Sequence, residues 1–482
     1  MTSITPIFAH AQPEPGQPRL LLLSYHFPPD TTVGARRWEK LATFVCERGW
    51  GLDVITRDEP QGDRSRLEAL PAGVRVFTVP PVVFPVERLE HLAWRAYRTL
   101  LPAAPPAAVS GDGKGAAVVP DRPDTIDRGD VRWTLRPREA LRAYWTWMEF
   151  ARAGRWARRA AALGVALARE VSYFAVVTSG PPHMTHVGGR LVGLQARLPF
   201  VMDMRDPWSL NQRLPEPTAS PLWLRLAARY ERQVVESAAL VVANTEPARE
   251  ALGRRYPSAR ERLIAVMNGS DDDPLPPSRR GGRFTIGYAG TIYDSRDPRN
   301  LFRAAARVIE ALALTPADFG IDLIGAFDRP GELPVGELAR REGIADYVTI
   351  GPARPHARAM EFLAQATMLV TFPGWNTITI PAKTFECVRF DAWLLSLSER
   401  GSATDLLLRG TAADVVPPDD VDGIAAVIRK RVEQHRRGVH ATRIANDDRF
   451  SRRGQARILL DALARFLPRG SREEQSVLAA SP

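Results

Sequence analysis

Cysteine and lysine are the scarce residues of this 482-residue chain. Its two cysteines, Cys46 and Cys387, are too few for a disulfide framework or a cysteine-built zinc site, and they fit a reducing compartment. Lysine occurs only at Lys40, Lys114, Lys383 and Lys430, so arginine carries nearly all of the positive charge. That bias reflects genome composition more than function. No apolar run approaches the roughly 20 residues that a bilayer-spanning helix needs, so no transmembrane segment is expected. The first apolar run, Leu20 to Leu23, is too short for a signal-peptide core. The polar, proline-containing residues 1–18 before it are expected to be disordered. The remaining composition, 45% hydrophobic and 25% charged, is that of an ordinary globular protein, and the length implies two or three domains.

The net charge of +10 is unevenly placed. Residues 136–170 hold eight arginines against three glutamates, and residues 429–470 hold twelve basic against four acidic residues. Two basic segments on a near-neutral body argue against a nucleic-acid groove. They suit an anionic membrane surface or a phosphate-bearing ligand better.

Strand-like and helix-like stretches alternate along the chain. Arg19 to Tyr25 is a short apolar run of the kind found in buried parallel strands. A loop over 26–34 follows, then helical spacing of Trp38, Leu41, Ala42 and Val45, and a second strand over 52–56. Further strands are expected at 174–178, 200–204, 240–244 and 263–267. Residues 101–130, rich in Pro, Ala, Gly and Asp, read as a flexible insertion. The stretch 271–282 reads as the domain linker, with Asp271, Asp272 and Asp273 as a solvated run. Beyond it the alternation restarts, with strands near 284–288, 321–324, 348–350, 368–372 and 393–397. The fold class is therefore α/β, with two doubly wound, Rossmann-like domains and an active site in the cleft between them. The expected boundaries are 19–275 and 283–440, followed by a basic helix within 441–467 and a tail over 468–482.

Five loops carry candidate chemistry. Gly34 opens the helix after the first strand, where backbone N–H groups can approach a phosphate, or it marks a plain turn. His183 and His186, three residues apart, follow another strand. No third ligand stands near them, so a zinc site is disfavoured, and His183 reads as a ligand contact or a helix cap. Asp203, Arg205, Asp206 and Trp208 directly follow a buried strand, either in a cleft or as an Asp–Arg pair fixing the loop. Gly290 and Arg296 lie in the first loop of the second domain, where Arg296 is suited to clamp a diphosphate. Pro381 is expected at the start of a helix that carries Lys383 and, one turn on, Glu386. A compact ammonium in a chain that otherwise writes arginine favours a functional role for Lys383.

In this order the segments SYHFPPDTTVGARRWEKLA, SGPPHMTHVGGRL, VMDMRDPW, VVANTE with VMNGSDD, IGYAGTIYDSRDP, VTIGPARPHARAMEFLAQATMLV and IPAKTFECVRFDAWLL resemble the retaining glycosyltransferases of the GT-B fold. The resemblance is to the family 4-like bacterial members that build polysaccharide or lipid-linked glycans, and it covers about residues 19–466. It implies an acceptor held mostly by the first domain, a nucleotide-diphosphate sugar on the second, and a C-terminal helix that crosses back to the first. Glu386 matches the glutamate that binds the nucleotide ribose. Arg296 falls where a phosphate-binding lysine is common, Gly34 near the donor phosphates, and Ile350 where backbone groups meet the base. Gly290 matches the loop glycine that an arginine usually follows, but this chain has Thr291 there. Two more positions depart from the pattern: Ile378 replaces the first of two paired glutamates, and Met204-Arg205-Asp206 stands where many relatives place a histidine.

The expected activity is transfer of a sugar from a nucleotide-diphosphate donor to a hydroxyl acceptor, with retention, in cell-surface polysaccharide or glycolipid synthesis. Arg205, Asp206 and His183 are the expected catalytic or acceptor-orienting residues. The resemblance also suggests that the leaving phosphate helps to take the acceptor proton. No metal or cofactor is expected beyond the co-substrate, and no nucleic-acid partner. The acceptor is a glycan or a lipid-linked glycan. Trp145, Trp147, Trp156, Met148 and Phe150, set among arginines, suit either a helix on an anionic membrane or one packed on the sheet. A cytoplasmic protein, peripheral at the inner membrane face, is the expected location. An epimerase of the same fold and a non-catalytic binding module are the alternative functions.

Overall fold

A computed structural model describes residues 4–10, 14, 16–84, 137–210, 221–278, 281–292, 296–327, 333–372 and 377–467. The expected insertion over 101–130 and the tail over 468–482 lie outside these residues. The chain divides into two compact units, Met1–Val241 with Leu463–Pro482, and Val242–Ala462.

The strands of the first sheet are β1 (Phe8–Ala9), β2 (Arg19–Ser24), β3 (Gly51–Arg57), β4 (Val74–Val79), β5 (Tyr173–Gly180), β6 (Phe200–Met204), β7 (Leu240–Ala243) and β8 (Leu263–Ala265). They are ordered β1-β4-β3-β2-β5-β6-β7-β8. β2 runs parallel to both β3 and β5, with Leu22 opposite Val54 on one side and Val177 on the other. Leu20 to Leu23 are wholly buried, as a central strand covered on both faces requires. Burial of each such side chain is worth about 1.5–3 kcal/mol. The chain winds outward from β2 through β3 to β4, then returns to β5 and winds the other way. The carboxyl ends of β2 and β5 therefore flank a topological switch point, where open α/β sheets place their ligands.

The second unit repeats this plan with β9 (Phe284–Thr291), β10 (Phe319–Ala326), β11 (Val348–Pro352), β12 (Met368–Thr371), β13 (Trp393–Leu397) and β14 (Asp414–Val416). The order is β11-β10-β9-β12-β13-β14, with all pairings parallel. Its switch point lies between β9 and β12. The helix Arg452–Ala464 begins in this unit, and the chain from Leu463 onward belongs to the first.

Three boundaries differ from expectation. Residues 1–18 are not wholly without structure, because Phe8–Ala9 adds an antiparallel strand to the β4 edge and His10 Nε2 lies 2.9 Å from the Leu70 carbonyl. The unit boundary falls inside β7 rather than at 271–282. The acidic run is solvated only in part: Asp272 and Asp273 are exposed, but Asp271 accepts from Arg452 Nε at 2.5 Å with both side chains about nine-tenths buried, and Arg389 donates to the Asp273 carbonyl. Ser270 N donates to the Phe450 carbonyl at 2.7 Å, which fastens the segment to the start of the final helix.

Two buried carboxylates organise the first sheet. Asp53 on β3 accepts from Arg19 Nη2 at 2.7 Å, Arg75 Nε at 2.8 Å and the Tyr173 hydroxyl at 2.5 Å. Burial alone would raise its pKa, but the Arg75 hydrogen bonds and the Arg19 charge outweigh that and lower it. Asp203 on β6 accepts from Arg37 Nε at 3.0 Å, Arg37 Nη2 at 2.9 Å, Trp38 Nε1 at 2.8 Å and the Ser179 hydroxyl at 3.3 Å. This pair joins the helix Arg36–Glu47 to the ends of β5 and β6. Replacing Asp203 with Ala leaves the Arg37 guanidinium buried without its carboxylate, and should cost about 3–5 kcal/mol. Urea unfolding of the variant tests this, and a loss below about 1 kcal/mol would refute the role given to the pair.

Candidate functional site

In the second unit, the loop after β9 and the short helix Ala382–Cys387 meet at the switch point. Pro381 is the residue just outside this helix rather than its first member. Tyr288, Arg296, Lys383 and Glu386 line a small pocket there, with Thr371 and Leu363. Three of the expected donor residues, separated by up to 90 positions in sequence, are thus brought together.

Lys383 reaches across the pocket and donates to the Ala289 carbonyl, with its ammonium 5.5 Å from the Tyr288 ring centre. A Cβ at Gly290 would lie 2.0 Å from Lys383 Nζ and 2.7 Å from its Cε. Gly290 is therefore needed for the approach of this side chain. On the neighbouring strand, a Cβ at Gly325 would lie 1.6 Å from the Gly290 carbonyl oxygen. Burial pushes the Lys383 ammonium below its ordinary pKa, the Glu386 and Cys387 side chains oppose the shift, and Arg296 adds to it. The Cys387 thiol is pushed up to about 12 by burial and by Glu386, which makes it a packing residue and not a nucleophile.

Thr291 ends β9, and its carbonyl accepts from the Tyr288 hydroxyl at 3.0 Å and from Arg296 Nη1 at 3.4 Å. Glu386 Oε1 lies 3.1 Å from His356 Nε2. Ile350 is not brought to the pocket. It lies on the edge strand β11 with its side chain 42% exposed, and the segment after β11 approaches the pocket through His356. Neither His356 nor Tyr288 stood out in the sequence, because each becomes significant only through its contact with Glu386 or Lys383. Ile378, at the departure from the paired glutamates, accepts a hydrogen bond on its carbonyl from the Thr245 hydroxyl.

In the first unit, Gly34 and Arg205 prove to be one feature. The Arg205 guanidinium donates to the carbonyls of Gly34 and Pro181, and to that of Gly180 at 3.3 Å. A Cβ on Gly34 would lie 2.6 Å from Arg205 Nη1. The glycine thus makes room for arginine, and Arg205 staples the loops after β2 and β5. Burial lowers the pKa of Arg205 despite the nearby charges of Asp203 and Asp206. Asp206 is half-buried in the same loop.

His183 is buried, stacked on Trp208 with ring centres 5.0 Å apart, and neither ring nitrogen has a hydrogen-bond partner. It occupies the cap position of the helix Met184–Ala196 without bonding it through its side chain. His186 Nδ1 lies 2.8 Å from the Thr178 hydroxyl. Among the described residues no group of three or more His, Cys, Asp or Glu side chains is placed to hold a metal ion.

Two doubly wound sheets, with strand-end loops gathered at each switch point, define the GT-B fold of glycosyltransferases. Comparison with known proteins agrees. The chain is similar to Anabaena HepE, solved in complex with UDP and glucose, at 14% identity and a TM-score of 0.55, covering 93% of this chain and 100% of that one. It is similar to sucrose-phosphate synthase from Thermosynechococcus elongatus at 14% identity and a TM-score of 0.56, covering 96% and 100%. In sequence it is 28% identical over 256 residues to a D-inositol 3-phosphate glycosyltransferase of Nocardia farcinica, covering 49% of this chain and 55% of the relative. A D-inositol 3-phosphate glycosyltransferase 1 of Catenulispora acidiphila is 29% identical over 210 residues, covering 39% and 49%. The chain thus spans about half the length of these curated relatives. No protein-family profile matches it.

The buried histidines make stability depend on pH. Burial holds the His186 pKa at about 3 and that of His183 well below its ordinary value, so both stay neutral in the folded state. In the unfolded chain each takes up a proton near pH 6.5. Their contribution is present above that pH and is lost as pH falls below it, at up to about 1.4 kcal/mol per pH unit for each ring. His183→Phe keeps the stack on Trp208 and should flatten the decline in urea midpoint between pH 7 and 5. Equal slopes for variant and parent would contradict the assignment.

Proposed function

We propose that the chain is a glycosyltransferase that moves a sugar from a nucleotide-diphosphate donor to a hydroxyl acceptor with retention of anomeric configuration. The observation that carries this is the convergence of Lys383, Arg296 and Glu386 on one pocket at the second switch point. Two cations there suit a diphosphate, whose negative charge grows as the sugar departs, and in this reading they meet that charge without a metal ion. Glu386, one oxygen of which faces His356, suits the hydroxyls of a ribose. UDP and glucose in HepE, and the glycosyltransferase names of the relatives, support the donor class. In the first unit, the acceptor lies by the loops that Arg205 holds together, with Asp206 beside them. Arg205 is a positioning residue in this reading, and His183 supports the loop from beneath. The acceptor is a growing cell-surface polysaccharide or glycolipid.

UDP titration by calorimetry tests the donor site. Glu386→Ala and Lys383→Ala should each weaken binding roughly 10- to 100-fold, the loss expected for a charge-assisted hydrogen bond of about 1.5–3 kcal/mol. If the parent binds no nucleotide, or both variants bind it as the parent does, the pocket has been misassigned.

A membrane-bound acceptor is favoured by the long helix Pro137–Glu170. Trp156 and Met148 face the core, but Trp145 and Trp147 are 44% and 40% exposed among arginines. No helix among the described residues is long and apolar enough to cross a membrane. Vesicles containing phosphatidylglycerol should therefore bind the chain at low salt and release it at high salt. Binding that does not respond to salt, or that fails at low salt, would refute this placement.

A further inference from the structure

Glu386 lines the pocket at the second switch point, near the end of a six-residue helix. A carboxylate on so flexible a stem does not hold one orientation by itself. The ring that meets it comes from another element of the same unit. His356 is the first residue of the helix His356–Gln365, and its Nε2 lies 3.1 Å from Glu386 Oε1. An ionised carboxylate only accepts hydrogen bonds, so Nε2 is the ring nitrogen that carries the hydrogen of this contact.

Both partners are carried by one core. Met360, Leu363 and Ala364 of the His356 helix pack in the same buried cluster as Phe385 and Cys387, which flank Glu386 in the chain. Pro355 leads into that helix with φ −52° and ψ 149°, a conformation that its ring restricts. Stability does not account for the contact. The side chains of His356 and Glu386 are 48% and 27% exposed, and a pair so open to water contributes little to folding. Its consequence is positional: it fixes one carboxylate oxygen and, with it, the direction in which the remaining lone pairs are presented. The cations of the pocket are fixed separately, Lys383 by the Ala289 carbonyl and the Tyr288 ring, and Arg296 by the Thr291 carbonyl. His356 therefore bears on the carboxylate of the pocket and not on its cations.

We propose that His356 is a positioning residue that holds Glu386 for the hydroxyls of a ribose, and that the pair makes the pocket select ribonucleoside over deoxyribonucleoside diphosphates. The proposal rests on the glycosyl-transfer reading above, in which Glu386 meets a ribose. Oε1 gives one lone pair to His356, and a carboxylate has about four, so the group can still accept from sugar hydroxyls. With His356 in place, the hydroxyls meet a carboxylate that is already ordered. Without it, the ligand has to order the carboxylate itself, and that cost offsets the gain from the hydroxyls.

The experiment is calorimetry on the full chain. UDP, ADP and GDP are titrated, and the tightest of them is taken forward with its 2′,3′-dideoxy counterpart. The parent should bind the ribose form roughly 10-fold or more tightly than the dideoxy form, as the loss of a charge-assisted hydrogen bond requires. In His356→Ala this ratio should fall to about threefold or less, while the Kd of the dideoxy form stays within about twofold of the parent. His356→Gln again offers the carboxylate a donor and should recover most of the ratio. General loosening of the pocket would weaken both ligands alike. If His356→Ala does not fold, His356→Leu replaces it. A parent-like ratio in His356→Ala, or equal weakening of both ligands with no recovery in His356→Gln, overturns the role of His356 and leaves the donor site intact. A parent without preference, or a ratio that survives Glu386→Ala, overturns the ribose contact and this proposal with it. A parent that binds none of the three diphosphates overturns the donor reading itself.

Discussion

The buried Asp203 carboxylate is the fixed point of the first unit. A carboxylate cannot remain at the wholly buried end of a strand unless its lone pairs are taken up, and here Arg37, Trp38 and Ser179 take them. Arg37 and Trp38 open the helix that follows the β2 loop, so the requirement to satisfy one charge sets where that helix begins. Two residues beyond Asp203, Arg205 spends its donors on the carbonyls of Gly34, Gly180 and Pro181. Together the two charged side chains determine how the loops at the switch point are shaped.

Much of the alternating α/β order could be read from the sequence, because a central parallel strand leaves an unmistakable trace. Arg19–Ser24 is apolar except at its ends, and Phe200–Met204 and Trp393–Leu397 fall where the apolar runs place them. Strands at the sheet margins leave less. β4, Val74–Val79, sets the partly buried Arg75 and Thr78 among four buried residues, and β14 has only three residues. The boundary between the units was misplaced for a related reason. A stretch of Asp, Pro and Gly signals a loop, but composition does not reveal that Asp271 meets an arginine 181 positions away.

The pocket at the second switch point was more legible than the loops at the first. Lys383 and Glu386 sit on one turn, and their chemistry is local. The role of Gly34 was not readable, because a glycine before a helix looks the same whether it admits a phosphate or a guanidinium. His183 drew attention by its position after a strand, yet burial under Trp208 gives it a supporting place. His26 and Asp30, whose side chains meet at 2.6 Å, are four residues apart in a proline-containing loop, where no periodicity indicates the contact. Their pairing depends on Thr32, Arg57 and Arg66, which come from the loop itself, from β3 and from the helix Ser65–Glu68.

The choice of lysine rather than arginine at position 383 has a physical explanation. Its ammonium is confined between the Ala289 carbonyl, the Tyr288 ring and the open space at Gly290. A guanidinium is planar and wider, and would have to displace the β9 backbone or turn out of the pocket. Arg296, from the loop after β9, is the other cation of the pocket. In a chain that otherwise prefers arginine, position 383 keeps lysine where a guanidinium would not fit. The glycine pair at Gly290 and Gly325 makes that narrow space possible, so the strand ends and the ammonium form a single design constraint.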